Sequence, residues 1–322
     1  MEIKAFRAIN PHPLYAEQFI FGDNNLKASL KSADGNAYLD LLLREGAYQQ
    51  VREAQFYIFQ VEENGLRQTG VWALVATEDY RAGRIKKHEA ILPEKVKAII
   101  AVEGKPVLLT YLPDQSIASY IADVVAGIPY VRYDHCGKSY KIWLAGLELA
   151  ERFKQVTSLY VADGHHRLEG ATASHISAIL MSGDQLKVLP YHRYSNANFD
   201  WEELNHLFLM KSSFSDEPVY PHLRGRFGMR LDGQWYELVT QHPLYAYDSE
   251  FLAAEVFKDR EVFFGHDLTK ISPNATVFTL CPLEIGDVIR IADVGEILPA
   301  KSTWIEPKLP FGLLVYRHQT AY

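Results

Sequence analysis

Cys136 and Cys281 are the only two cysteines in this 322-residue chain. They are too few for a disulfide framework and have no ligand-like spacing, so a stapled secreted domain and a cysteine zinc site are both excluded. A reducing cytoplasm fits that poverty. No stretch approaches the roughly eighteen uninterrupted apolar residues that a membrane span needs. The opening MEIKAFRAIN lacks the basic start and long apolar run of an export signal. Charge of one sign is never gathered into a block. The net charge is −7 with scattered lysines and arginines, a poor footprint for a duplex-DNA binder, whose affinity comes from neutralising phosphates. A water-soluble protein with small-molecule partners remains, and a homodimer is left open.

What is present is ordinary in bulk. Hydrophobic residues make up 48% and charged residues 23%, and the length allows one large or two interlocked domains. Residues 53–62 and 70–77, joined through Asn64-Gly65, predict a β-hairpin. Ile91 to Ile100 predicts a helix with Pro93 in its first turn. KPVLLTY (105–111) and IPYVRYD predict strands around a helix at 114–127, and IWLAGLELAERFKQV (142–156) predicts a helix before the short strand SLYVA. From about residue 213 the pattern turns strand-rich, with helices at SEFLAAEVF and IGDVIRIAD. The expected fold class is α+β, with a core over 1–212 and a strand-rich subdomain over 213–322 packed on it.

The chemistry gathers at SLYVADGHHRLEGATA, residues 158–173. Here a strand runs into Asp163, Gly164, His165, His166 and Arg167. A helix is predicted to continue to Met181, on a stripe of Leu168, Ala171, Thr172, Ile176, Ile179 and Leu180. A glycine-containing strand-to-helix turn offers backbone N–H groups and the positive end of a helix dipole to an anion. Arg167 adds a bidentate fork for phosphate oxygens, and Asp163 offers a metal ligand or a proton acceptor. The plain alternative is an Asp N-cap with an ordinary histidine. Against it, two histidines and an arginine at the positive end of a dipole cost stability unless an anion offsets them. Adjacent histidines point about 100° apart on a helix and seldom share a metal, and no HExxH is present, so zinc hydrolysis is disfavoured.

The string YVADGHHR resembles the phosphate-binding box of the ParB/sulfiredoxin-like superfamily, which includes partition nucleotide-binding proteins, sulfiredoxins and free-serine kinases. It is most similar to the serine-kinase branch, whose box has a DGHHR form and whose second signature is a His-Glu pair, matched here by His88-Glu89 in RIKKHE. The chain as a whole resembles a narrower bacterial and archaeal family of unknown function. That likeness rests on DYRAGRIKKHE (79–89), YVADGHHRLEGA (160–171), VLPYHR (188–193) and GEILPAKSTWIEPKLPFGLL (295–314). It runs from near residue 40 to the C-terminus.

The resemblance implies a ParB/sulfiredoxin-like mixed α/β core and a magnesium-dependent kinase using ATP or ADP on a small hydroxyl metabolite such as free serine. Glu89 would be the catalytic base, with Asp163 binding magnesium or assisting it. Gly164, His165, His166 and Arg167 would hold the phosphates, joined by His88 and by Lys301, Ser302 and Thr303 of PAKST. Each has a plainer reading: Glu89 as a solvated acid near a helix start, and 301–303 as a turn with capping hydroxyls. A non-catalytic nucleotide-binding switch is the competing function.

Overall fold

After a short β1 (Ile3–Lys4), the predicted hairpin is present. Asn64 and Gly65 both adopt positive φ, 51° and 79°, as a two-residue turn matched to strand twist requires. They join β2 (Phe56–Glu63) to β3 (Leu66–Ala76). The computed structural model describes residues 1–22, 24–32, 34–96, 102–242 and 245–318. It divides into two units: Met1–Lys87, Ile91–Leu186 and Pro307–Tyr322 form the first, and His88–Ala90 with Lys187–Glu306 the second. None of the four boundaries lies at the 212/213 division expected from composition, and the segment from Pro307 groups with the N-terminal elements.

The first unit is organised on a nine-stranded sheet. Its remaining strands are β4 (Ile85–Lys86), β5 (Val107–Tyr111), β6 (Val131–His135), β7 (Lys138–Ala145), β8 (Leu159–Asp163) and β9 (His175–Ser182). The order is β4-β8-β5-β9-β3-β2-β7-β6, with β1 also pairing with β3. Two pairs are parallel, β8 with β4 and β9 with β5. Helices α1 (Asn24–Lys31), α2 (Gly35–Arg44), α3 (Thr77–Arg81), α4 (Gln115–Val125), α5 (Leu149–Phe153) and α6 (His165–Glu169) complete it. Ile117, Leu149 and Phe153 share one core cluster with Val107, Leu109, Val161 and Leu180. Asp114, where the expected helix begins, caps α4 by accepting from the Ile117 N–H.

Three predicted helices are corrected. The helix expected to reach Met181 stops at Glu169, and β9 follows it, paired with β3 and β5. In β9 Ile176, Ala178 and Leu180 are buried, and so are Ser177, Ile179 and Met181. A strand buried on both faces reads as a continuous apolar run, and such a run fits helical and strand spacing equally well. Residues 142–156 divide at Gly146 into the end of β7 and the short α5. Of the helix expected over 91–100, the described part holds only a 3₁₀ turn at Pro93–Lys95, and residues 97–100 lie outside the described residues.

The second unit is strand-rich. β10 (Lys187–Pro190) pairs with the late β17 (Thr303–Glu306). Between them come β11 (His192–Ser195), β12 (Phe208–Ser212), β13 (Arg226–Leu231), β14 (Gln234–Thr240), β15 (Phe263–Gly265) and β16 (Thr276–Thr279). These six form an antiparallel sheet in the order β12-β14-β13-β16-β11-β15. Helices α7 (Trp201–Leu207), α8 (Asp248–Phe251) and α9 (Ile285–Val294) accompany it. The core is aromatic, with Phe208, Phe227, Phe251 and Phe278 in one cluster. α9 opens with a reciprocal Glu284/Asp287 capping box and ends at left-handed Gly295. The fold is α+β, as expected. Among the described residues no helix is long and apolar enough to cross a membrane.

Candidate functional site

β8 delivers Asp163 to the end of the first unit's sheet, where Gly164 turns the chain at φ 101°. A side chain there would be strained by that backbone, and its Cβ would stand 2.6 Å from Arg167 Nη2 and 2.9 Å from Val107 Cγ1. The Gly164 carbonyl accepts from the N–H groups of Arg167 (2.9 Å) and Leu168 (3.0 Å), which starts α6. The helix is one turn long, so the dipole invoked from the sequence contributes little. Side chains supply the positive charge instead.

Arg167 Nη2 donates to Oδ2 of Asp163 at 2.9 Å, and Lys308 Nζ donates to Oδ1 at 3.3 Å. Burial alone would raise the Asp163 carboxyl, but the charges of Arg167, Lys308 and Lys105 hold it well below the usual carboxylate range. Lys105 is lowered as well, which for an ammonium disfavours the charged form. Burial lowers its ammonium, Asp163 opposes, and Arg167, Lys308 and Lys31 add to the lowering. Several cations thus act on one carboxylate, and the corner is short of negative charge. Arg167 Nε is buried with no hydrogen-bond partner. His165 is buried, and His166 uses Nε2 to accept from the Leu92 N–H at 3.1 Å. That imidazole nitrogen is engaged in holding the 91–92 backbone.

Glu89 belongs to the second unit and is 7% exposed. The 88–90 segment lies along Leu298, whose N–H donates to the His88 carbonyl and whose carbonyl accepts from the Ala90 N–H, both at 2.8 Å. Oε1 of Glu89 accepts from the Thr303 N–H at 2.7 Å and from the Thr303 hydroxyl, and Oε2 accepts from the Lys301 N–H at 3.0 Å. Since that hydroxyl donates to Glu89, its oxygen accepts from buried His88, whose Nε2 is 3.0 Å away. Lys301 holds a positive φ of 64°, and Ser302 Oγ donates to the Pro299 carbonyl at 2.6 Å. Arg193 lies beneath the same loop. Its Nη1 donates to the carbonyls of Lys301 (2.7 Å) and Tyr191 (2.8 Å), and burial pushes it down to about 10 against the opposing charge of Glu89.

The residues singled out in the sequence therefore form two groups. Asp163, Gly164, His165, His166 and Arg167 form one within the first unit, and His88, Glu89, Lys301, Ser302 and Thr303 form the other within the second. Sequence reasoning missed Lys105 and the role of Lys308 as a partner of Asp163. Both are brought there by long-range folding that no local spacing announces. Among the described residues no three His, Cys, Asp or Glu side chains gather as a metal site. A magnesium ion carried on nucleotide phosphates needs only one or two protein carboxylates. Asp163 meets that demand in ligand number, and to hold the ion it would have to release Arg167 or Lys308 from one of its oxygens.

The family model described as "Protein of unknown function (DUF1015)" matches residues 14–262. The chain belongs to the DUF1015 family. The match begins well before residue 40, where the sequence likeness was expected to start, and stops short of the 295–314 stretch. No curated protein matches the DUF1015 chain. Solved structures similar to it include SbnI with C-terminal truncation from Staphylococcus aureus, at 16% identity over 75% of this chain and 87% of that one, TM-score 0.45. Another is a free serine kinase in complex with AMP, at 14% identity over 76% and 90%, TM-score 0.44. A third is a conserved hypothetical protein from Pyrococcus furiosus, at 12% identity over 77% and 95%, TM-score 0.42.

Proposed function

We propose that this DUF1015 protein is a cytoplasmic phosphotransferase of ParB/sulfiredoxin-like type. It binds the phosphates of ATP or ADP at the Asp163 corner and passes a phosphoryl group to the hydroxyl of a small metabolite such as free serine. The observation that carries the reading is the charge imbalance there: Arg167, Lys308 and Lys105 act on a single carboxylate. A polyphosphate supplies the missing negative charge, and the Arg167 fork suits its oxygens. Phosphoryl transfer is mostly positioning and electrostatic stabilisation, so cations already assembled in a half-buried corner are the main requirement. Magnesium, when bound with the nucleotide, supplies further neutralisation of the phosphates, with Asp163 as its protein ligand.

The reaction also needs a group to accept the hydroxyl proton, and Glu89 takes that role. Within the first unit β4 and β8 run parallel, with Ile85 opposite Leu159 and Lys86 opposite Tyr160. In the chain Lys86 stands three residues before Glu89, and Tyr160 three residues before Asp163. To act as a base, Glu89 must give up a donor, and the Thr303 hydroxyl is the one free to rotate.

A second reading, a nucleotide-binding switch without chemistry, is favoured by one specific observation. The Glu89 carboxylate already accepts three hydrogen bonds from 301–303, which suits a structural latch. Phosphorus NMR with ATP or ADP, magnesium and a panel of amino acids and small alcohols separates the two. A new phosphomonoester resonance supports the transferase. Nucleotide binding with no phosphorylated product from any donor and acceptor supports the switch.

A further inference from the structure

The second unit contains a cavity of about 330 Å³ whose lining includes Arg224, Arg226, Tyr245, Tyr247, Asp248 and Phe251. Its size lies at the small-ligand end of binding pockets. Most of its polar groups are committed to neighbours. Arg224 pairs with Asp287 at 2.5 Å and lies over the Tyr247 ring, 5.3 Å from its centroid. The Tyr247 hydroxyl accepts from Arg290, and the Tyr245 hydroxyl donates to Glu255. These contacts hold the two rings as fixed walls.

Asp248 is different. Its Oδ1 accepts from the Gly225 N–H at 2.8 Å, but Oδ2 is buried without any hydrogen-bond partner. The next residue, Ser249, is 5% exposed and its hydroxyl also has no partner. It lines a smaller cavity that shares Arg224, Tyr247 and Asp248 with the first. Burial pushes the Asp248 carboxyl up to about 6, with the Gly225 N–H and Arg224 opposing, so it is still mostly ionised at pH 7. A buried carboxylate oxygen without a donor is costly. A ligand bearing N–H groups removes that cost.

An organic cation alone would meet Asp248 but would be repelled by the exposed Arg226 of the same lining, since Arg224 is already paired with Asp287. A zwitterion meets both charges. We propose that this cavity binds a free α-amino acid with an apolar or aromatic side chain, its ammonium donating to Oδ2 of Asp248 and its carboxylate meeting Arg226. The side chain then lies against the Tyr245, Tyr247 and Phe251 rings. Amino-acid binding here stands independently of the phosphotransferase reading, since none of its contacts involves the Asp163 corner or Glu89.

The test is isothermal titration calorimetry of the full chain with L-phenylalanine and L-leucine. Phenethylamine and 3-phenylpropionate serve as the two half-ligands and L-serine as the small control. The expected result is binding of phenylalanine or leucine, with each half-ligand and serine at least about tenfold weaker. Asp248→Asn and Arg226→Ala should each weaken binding by about tenfold or more while leaving ATP titration unchanged. No binding of either apolar amino acid overturns the proposal. So does phenethylamine binding as tightly as phenylalanine, serine binding equally well, or affinity unchanged in both variants. The half-ligand comparison uses the unaltered protein, so it can overturn the proposal even if a variant fails to fold.

Discussion

Lys308 places its ammonium 3.3 Å from Oδ1 of Asp163, tying the segment that follows PAKST to the DGHHR box within one folded unit. Together with Arg167 and Lys105 it makes the corner electropositive around a single acid. Replacing Asp163 by Asn should therefore do two things. It should destabilise the free protein by about 2 kcal/mol, less than a fully buried broken pair costs because Asp163 is partly exposed. It should also make the protein's melting temperature unusually sensitive to added tripolyphosphate, since an anion can then replace the lost carboxylate. Thermal melts with and without tripolyphosphate check this. A variant that the anion does not rescue would show that the cations are not arranged for phosphate.

Gly164 tests the same corner through the backbone. Gly164→Ala puts a methyl group on a residue at φ 101°, 2.6 Å from Arg167 Nη2. The backbone strain costs about 1–2 kcal/mol, and the guanidinium must move. ADP affinity measured by calorimetry should fall at least as far as in Arg167→Ala. If Gly164→Ala binds ADP normally, Arg167 is not the phosphate contact.

Glu89 separates latch from base through a paired substitution. Glu89→Gln leaves fewer acceptor sites for the three donors of 301–303. It should cost about 1–3 kcal/mol of stability and abolish transfer while ADP still binds. Thr303→Val removes the hydroxyl that donates to Glu89 and accepts from His88, and leaves the two backbone donors in place. For a catalytic Glu89, that change shifts the acid limb of the rate–pH profile upward, because a carboxylate with fewer donors is a stronger base. A profile that keeps its limb while the overall rate or stability falls would assign Glu89 a purely structural task.

Much of this was legible in the sequence where local chemistry decides the outcome. Asn64-Gly65 fixed a hairpin, Asp114 a helix start, and Asp163-Gly164 a turn after a short buried strand. The longest misread helix has a clear cause. Ile176 to Met181 are apolar at every position save Ser177, so their spacing cannot tell a helix from a strand covered on both faces. Only pairing with β3 and β5 decides it. The cations of the site divide in the same way. Arg167 stands in the box and was visible, whereas Lys105 and Lys308 reach Asp163 through tertiary folding. The three hydrogen bonds that hold Glu89 also come from Lys301 and Thr303, more than two hundred residues away.

Two buried groups of the second unit should give opposite pH dependences. Burial, reinforced by Arg193 and His266, lowers the His192 imidazole to about 4. Between pH 6.5 and 4 the unfolded chain takes up a proton that folded His192 refuses, so this group's contribution to stability falls as pH falls. Asp248 is raised to about 6 from its ordinary value of 3.8. Between those values the folded state holds the extra proton, so its contribution falls as pH rises. Each shift is worth about 3 kcal/mol at 1.36 kcal/mol per unit, and in the wild-type chain the two slopes largely cancel between pH 4 and 6. Asp248→Asn should become more stable relative to wild type as pH rises through that window. His192→Asn should become more stable relative to wild type as pH falls through it. Urea unfolding of all three proteins at half-unit steps from pH 4 to 7 measures both differences. Parallel lines across the window for either variant would mean that the corresponding group titrates alike in the folded and unfolded chain.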